Sequence, residues 1–159
     1  MAAALAFFLT REAPQPLPPF ALEASGAAGV RSPPKSAPGV TVLGPDARLT
    51  LVLRPSTAVT GPLEVRAFLA QGDRAAPFHP PVTVSPEGLV RIAGPRDTLF
   101  PGVSSGTARI LLAVGRPGDL PPDSETTVTS LRDAAANARG AWILAEHELR
   151  WVDTAEPPP

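Results

Sequence analysis

Arg48-Leu49-Thr50-Leu51-Val52-Leu53-Arg54, closed by Pro55, decides the fold. Leu49, Leu51 and Leu53 recur at period two, so they share one face of an extended strand. Thr50 and Val52 fall on the other face. Pro55 then ends the segment, because it cannot donate to a ladder. The turn Thr60-Gly61-Pro62 leads into a second such segment, Leu63 to Ala70. There Leu63, Val65, Ala67 and Leu69 share one face, and Glu64 and Arg66 the other.

The same texture repeats downstream. Gln71-Gly72-Asp73 reads as a turn. Val82 and Val84 mark a short strand within Pro81 to Ser85. Ser85-Pro86-Glu87-Gly88 has proline second and glycine fourth, the signature of a type I turn. Val90 and Ile92 are in phase within Leu89 to Ala93. Ala108, Ile110, Leu112 and Val114 share a face within Thr107 to Val114. Trp142 to Val152 is the last long strand. Short alternating segments joined by Pro/Gly turns predict a mainly β fold, a single antiparallel β-sandwich of immunoglobulin-like type. The gaps lack helical periodicity, which disfavours parallel α/β.

One short helix is expected before the last strand, within Thr127 to Arg139. Val128, Leu131 and Ala135 lie at helical spacing. Ser130-x-x-Asp133 resembles a capping box, with a start near Ser124 as the alternative. Gly140 supplies a stop. Its alanine-rich surface suggests a helix laid across the end of the sandwich rather than one that builds core.

Composition agrees with a turn-rich β fold. The 159 residues include 22 prolines and 13 glycines, about a fifth of the chain, against roughly 12% on average. Prolines at that density exclude a helical bundle. Hydrophobic residues still make 43%, enough for a core. Lys35 is the sole lysine and Asn137 the sole asparagine, a bias expected from GC-rich codons.

The organisation reads as four parts. Residues 1–10 form an apolar stub. Met1 to Leu9 are wholly apolar, too short to span a bilayer, and carry no positive n-region. They read either as a loose N-terminus or, the reading preferred, as the last turns of a membrane helix whose start lies upstream. Residues 11–39 form a Pro/Gly-rich stalk and loop, with a short strand at 20–24. Its P-x-x-P match, Pro16 to Pro19, reads as a stiff spacer rather than an SH3-type ligand. The sandwich spans 40–153, and 154–159 is a disordered tail.

Chemistry-bearing residues are few. Fourteen basic residues against 15 acidic ones leave no basic excess, so nucleic-acid binding has no electrostatic support. No P-loop and no G-x-G-x-x-G occur. Zero cysteines and two histidines make a zinc site improbable, and no metal ligand or cofactor site is assigned. His79 sits in a proline-flanked loop. His147 faces away from Glu146 and Glu148 on a strand, so the three do not converge. It reads as a partly buried, hydrogen-bonded histidine. Gly102-Val103-Ser104-Ser105-Gly106 matches the nucleophile elbow G-x-S-x-G, and a triad of Ser104, a histidine and Asp97 can be written down. The elbow needs a following helix, whereas a strand-like run follows here. Ser104 is therefore read as part of a hairpin turn, and no catalytic residue is assigned. Trp142 and Trp151 are expected to pack the sandwich and its end.

The runs Arg48 to Pro55, Ala58 to Leu69, Val84 to Ile92 and Leu112 to Pro121 resemble a group of membrane-anchored bacterial proteins. These are the extracytoplasmic β-domains of myxobacterial-type proteins encoded near sigma factors, some preceded by an anti-sigma-type zinc module. The similarity covers about Phe20 to Asp153. It implies a membrane-tethered β-domain in the periplasm or cell envelope that senses or docks a protein partner. No zinc module and no residue-level function carry over. The expected function is a non-enzymatic extracytoplasmic interaction or sensor domain, tethered through its N-terminus. A soluble, cytoplasmic ligand-binding β-module and a small serine hydrolase using Ser104 are the alternatives.

Overall fold

The computed structural model describes residues 15–27, 39–103 and 105–152. The stub at 1–10, most of the loop before 39, Ser104 and the tail at 154–159 lie outside the described residues. Among the described residues, ten strands and two helices run in the order β1 (Phe20–Ala27), β2 (Val40–Leu43), β3 (Arg48–Pro55), β4 (Glu64–Gln71), β5 (Arg74–Phe78), β6 (Val82–Val84), β7 (Val90–Pro95), α1 (Arg96–Leu99), β8 (Gly106–Gly115), β9 (Thr126–Thr127), α2 (Val128–Asn137) and β10 (Trp142–Trp151).

They form two sheets, one ordered β1-β3-β7-β6 and the other β2-β10-β8-β4-β5-β9. With β1 as A, β3 as B, β7 as E and β6 as D, the first is the ABED sheet of an immunoglobulin domain. With β10 as G, β8 as F, β4 as C and β5 as C′, the second is the variable-type GFCC′ sheet. The sandwich expected from the alternating leucines is thus present. One ladder differs from the antiparallel rule: β2 runs parallel to β10, Val40 beside Glu148 through Leu43 beside Trp151. The chain leaves β1 on one sheet and returns on the edge of the other, in the same direction.

The inner faces are built as the period-two pattern requires. Leu49, Leu51 and Leu53 of β3, Val90 and Ile92 of β7, and Ile110, Leu112 and Val114 of β8 are fully buried in one cluster. They occupy the space where antibody domains carry an inter-sheet disulfide, which a chain without cysteine cannot form. Phe100 stacks on Phe78 at 5.2 Å and meets Trp151 edge-on at the same distance, closing one end of this core. Ser85 to Gly88 makes the turn read from its proline and glycine. The Gly88 N–H donates to Ser85 O at 2.9 Å, and Gly88 has φ of +87°.

Several boundaries shift. Residues 20–27 are a full strand, paired with β3 from Phe20 opposite Pro55 to Ala27 opposite Arg48. The sandwich therefore includes β1 and does not begin at 40. Leu17, placed in the stalk by its proline neighbours, is buried, and its N–H donates to Gly140 O at 2.8 Å. β5 was not expected, because Arg-Ala-Ala-Pro-Phe has neither alternation nor a clean run. It forms because the Gly72-Asp73 turn returns the chain onto β4.

The helix is the largest correction. α2 does not lie across the sandwich end. It packs on the outer face of the six-stranded sheet, where Val128 and Leu131 join Phe68, Leu111, Ala113 and Trp142 in a second core. β4 and β8 are consequently buried on both faces. Its N-cap is Thr127, whose hydroxyl oxygen accepts from the Ser130 N–H at 3.0 Å, rather than Ser130 itself. Asp73, in the turn between β4 and β5, accepts from the Thr129 N–H at 3.0 Å and the Thr129 hydroxyl at 2.9 Å. A carboxylate thus sits at the positive end of the helix. At the other end Arg139 takes φ of +50° ahead of Gly140, so the stop uses two left-handed residues.

Candidate interaction surface

The predicted chemistry-bearing residues are not brought together. His147 lies on β10 opposite Ile110 of β8, which lies opposite Leu69 of β4, which lies opposite Ala76 of β5. His79 lies past the end of β5, so it is more than three strand spacings away, over roughly 14 Å. His147 Nε2 sits 2.8 Å from Thr41 Oγ1 on β2, the partly buried, hydrogen-bonded state expected of it. Burial lowers its pKa, opposed by the Glu148 charge. His79 pairs with Asp123 at 2.8 Å on the surface. Asp97 lies in α1. The G-x-S-x-G run stands between helix α1 and strand β8, the reverse of an elbow. Ser104 itself lies outside the described residues. No group of three metal-ligating side chains occurs among the described residues.

Two concavities stand out among the described residues. One, of about 280 Å³, opens where β5 leaves β4 and is lined by Glu64, Arg66, Phe78, His79 and Asp123. Its charged groups satisfy each other. Arg66 bonds Glu64 at 3.1 Å and the Pro121 carbonyl, and His79 bonds Asp123.

The second, of about 380 Å³, is a groove between α2 and β10, lined by Ala135, Gly140, Trp142, Ile143, Leu144 and the Arg132–Glu146 pair. Arg132 grips Glu146 with two bonds, 2.6 and 2.7 Å. The hydrogen bond from Arg132 holds the Glu146 carboxylate below the usual carboxylate range, against an opposing desolvation cost. This groove runs along a strand edge. The Glu148 N–H donates to Gly39 O at 3.4 Å and the Val152 N–H to Leu43 O at 3.0 Å. Even-numbered residues of β10 therefore turn their backbone groups away from β8. β2 pairs only with Glu148 to Trp151. Toward the start of the strand, Trp142, Leu144 and Glu146 have no ladder partner on that side among the described residues.

Arg96 was not singled out from sequence. It is 4% exposed, and its guanidinium donates to Leu43 O at 3.3 Å, Val152 O at 2.8 Å and Val103 O at 3.1 Å. It ties the ends of β2 and β10 to the loop before β8. An arginine after the strand-ending Pro95 carries no periodic signal, so only the fold reveals it.

No helix among the described residues is long and apolar enough to cross a membrane. Comparison of the chain with protein-family models, with curated proteins and with solved structures found no match.

Proposed function

We propose that this chain is a non-enzymatic interaction or sensor domain working outside the cytoplasm, in the periplasm or cell envelope, held at the membrane through its N-terminus. The observation that carries the interaction reading is the groove between α2 and β10. There an apolar wall from Ala135, Trp142 and Leu144 adjoins a stretch of strand whose outward backbone groups have no ladder partner among the described residues. An edge of that kind pairs with extended chains. The apolar Met1 to Leu9 run and the resemblance to sigma-factor-linked envelope proteins support the location. The G-x-S-x-G motif gives the hydrolase alternative no comparable support, since β8 follows where a helix is needed.

Site-specific photocrosslinking in the source cell tests the interaction. A photoreactive residue at Ala135 is expected to yield a discrete protein adduct, and one at Thr83 on the opposite sheet is not. Equal labelling from both positions overturns the assignment of the face. Protease added to spheroplasts tests the location: digestion without lysis supports it, and protection until lysis overturns it.

A further inference from the structure

The outer face of the four-stranded sheet is basic, and the interaction reading makes no use of it. From its arginines we infer that this face lies against an anionic phospholipid bilayer and orients the tethered domain there. The inference rests on the membrane reading above and adds which way the domain faces.

Strand parity fixes which residues stand on the face. Leu49, Leu51 and Leu53 of β3 point into the core, so Arg48, Thr50, Val52 and Arg54 point out. Pairing carries the row across the sheet: Glu23 of β1 lies opposite Val52, Val52 opposite Arg91 of β7, and Arg91 opposite Thr83 of β6. Arg48, Arg54, Arg91 and Glu23 are all exposed. Among the described residues no hydrogen bond or ion pair holds these three guanidinium groups, whereas Arg66, Arg74 and Arg132 each grip a carboxylate. The side chains between them, Ser25, Thr50 and Ala93, are small, so the longer arginines reach beyond them.

Charge and spacing choose the occupant. The face carries three arginines against one glutamate, and the other described residues carry eight arginines against eleven carboxylates. Positive charge is therefore gathered on this one side of a chain whose net charge is -1. Arg48 and Arg54 stand at the two ends of β3, about 20 Å apart along the strand, too far to close on one small anion. A plane of phosphate headgroups meets all three arginines at once. The proposed tether joins the fold beside β1, the edge strand of this same sheet. With this face down, the α2–β10 groove on the other sheet stays turned to solution.

Cosedimentation of the full chain with phospholipid vesicles at low salt tests the contact. Partition into vesicles containing phosphatidylglycerol should exceed partition into pure phosphatidylcholine, and the excess should fade as salt rises. Each arginine near an anionic surface counts about fivefold. Arg48→Gln, Arg54→Gln and Arg91→Gln should therefore each lower the excess about fivefold, and the triple variant about a hundredfold. Glu23→Gln should raise it. Arg150→Gln removes the same charge from β10 on the other sheet and should leave it unchanged. Circular dichroism on each variant checks that the fold is kept. Equal partition into both vesicles overturns the inference, and so does an excess that Arg150→Gln lowers as much as Arg91→Gln does. If the excess is missing while protease still digests the domain on spheroplasts, the inference fails and the location stands. If the domain is also protected until lysis, both fail.

Discussion

Gly115 is set by one close approach. A Cβ there would lie 2.6 Å from Trp142 Cβ and 3.0 Å from Leu120 Cδ2, in the second core beneath α2. Trp142 Cβ belongs to a strand backbone held by β8, so it cannot retreat. Gly115→Ala is expected to cost about 1–3 kcal/mol by overpacking, although alanine normally favours a strand over glycine. Thermal unfolding followed through Trp142 and Trp151 measures it cleanly, since the chain has no tyrosine. A change under about 0.5 kcal/mol, the range of ordinary surface substitutions, contradicts the packing. His147 and Glu146 set the pH response. Burial lowers the His147 pKa below its ordinary 6.5. As pH falls through that value the unfolded chain binds the proton first, and stability declines. Glu146, whose pKa the Arg132 bond depresses from 4.5, contributes stability above that value and loses it as pH falls further. Urea midpoints should therefore be flat above about pH 7, fall toward 5, and fall again below about 4.5. His147→Gln should flatten the upper step alone. An unchanged upper step in that variant removes His147 as its cause.

At the scale of elements, α2 separates what sequence revealed from what it did not. Its existence was legible in Val128, Leu131 and Ala135 at helical spacing. Its place was not. Phe68 and Ala70 on β4, and Leu111 and Ala113 on β8, interrupt the alternation of those strands with a second apolar face. That doubled face is the local trace of a helix packed outside the sheet. It is easily lost, because Leu111 and Ala113 simply lengthen the apolar run Ile110 to Val114. β3 was fully legible because one of its faces stays half-exposed, so its period survives. β5 was not, because its strand state depends on the Gly72 turn and on β4 rather than on its own residues. Arg96 was invisible for a related reason: its three carbonyl acceptors come from β2, the end of β10 and the loop before β8. If α2 is structural rather than an appended lid, Leu131→Ala should cost about 2–5 kcal/mol in global unfolding. A loss of helix signal at unchanged global stability would make α2 a separable element.

For the whole molecule, the variable-type strand order explains where the proposed interaction face sits. The edge of the six-stranded sheet at β5 is covered by β9 over Arg74 and Ala75. Thr126 and Thr127 of β9 pair with Arg74 and Ala75, Asp123 holds His79, and Pro77 removes a donor. Among the described residues, the edge at β10 is covered by β2 from Glu148 to Trp151, β2 beginning at Val40 after Gly39 at φ of +94°, and Leu17 bonds Gly140 just before the strand starts. The connection between β8 and β10, residues 116–141, folds α2 over the same face and walls the uncovered half. Both edges are thus paired over part of their length, and the stretch Trp142 to Glu146 of β10 is the proposed interaction edge.

Residue-resolved amide exchange along β10 of the isolated chain tests this most directly. The Ile143, Ala145 and His147 amides, bonded to β8, should be strongly protected. Those of Leu144 and Glu146, without a ladder partner among the described residues, should exchange quickly. Uniform protection from Trp142 to His147 in the isolated chain would contradict the open edge and the interaction face built on it.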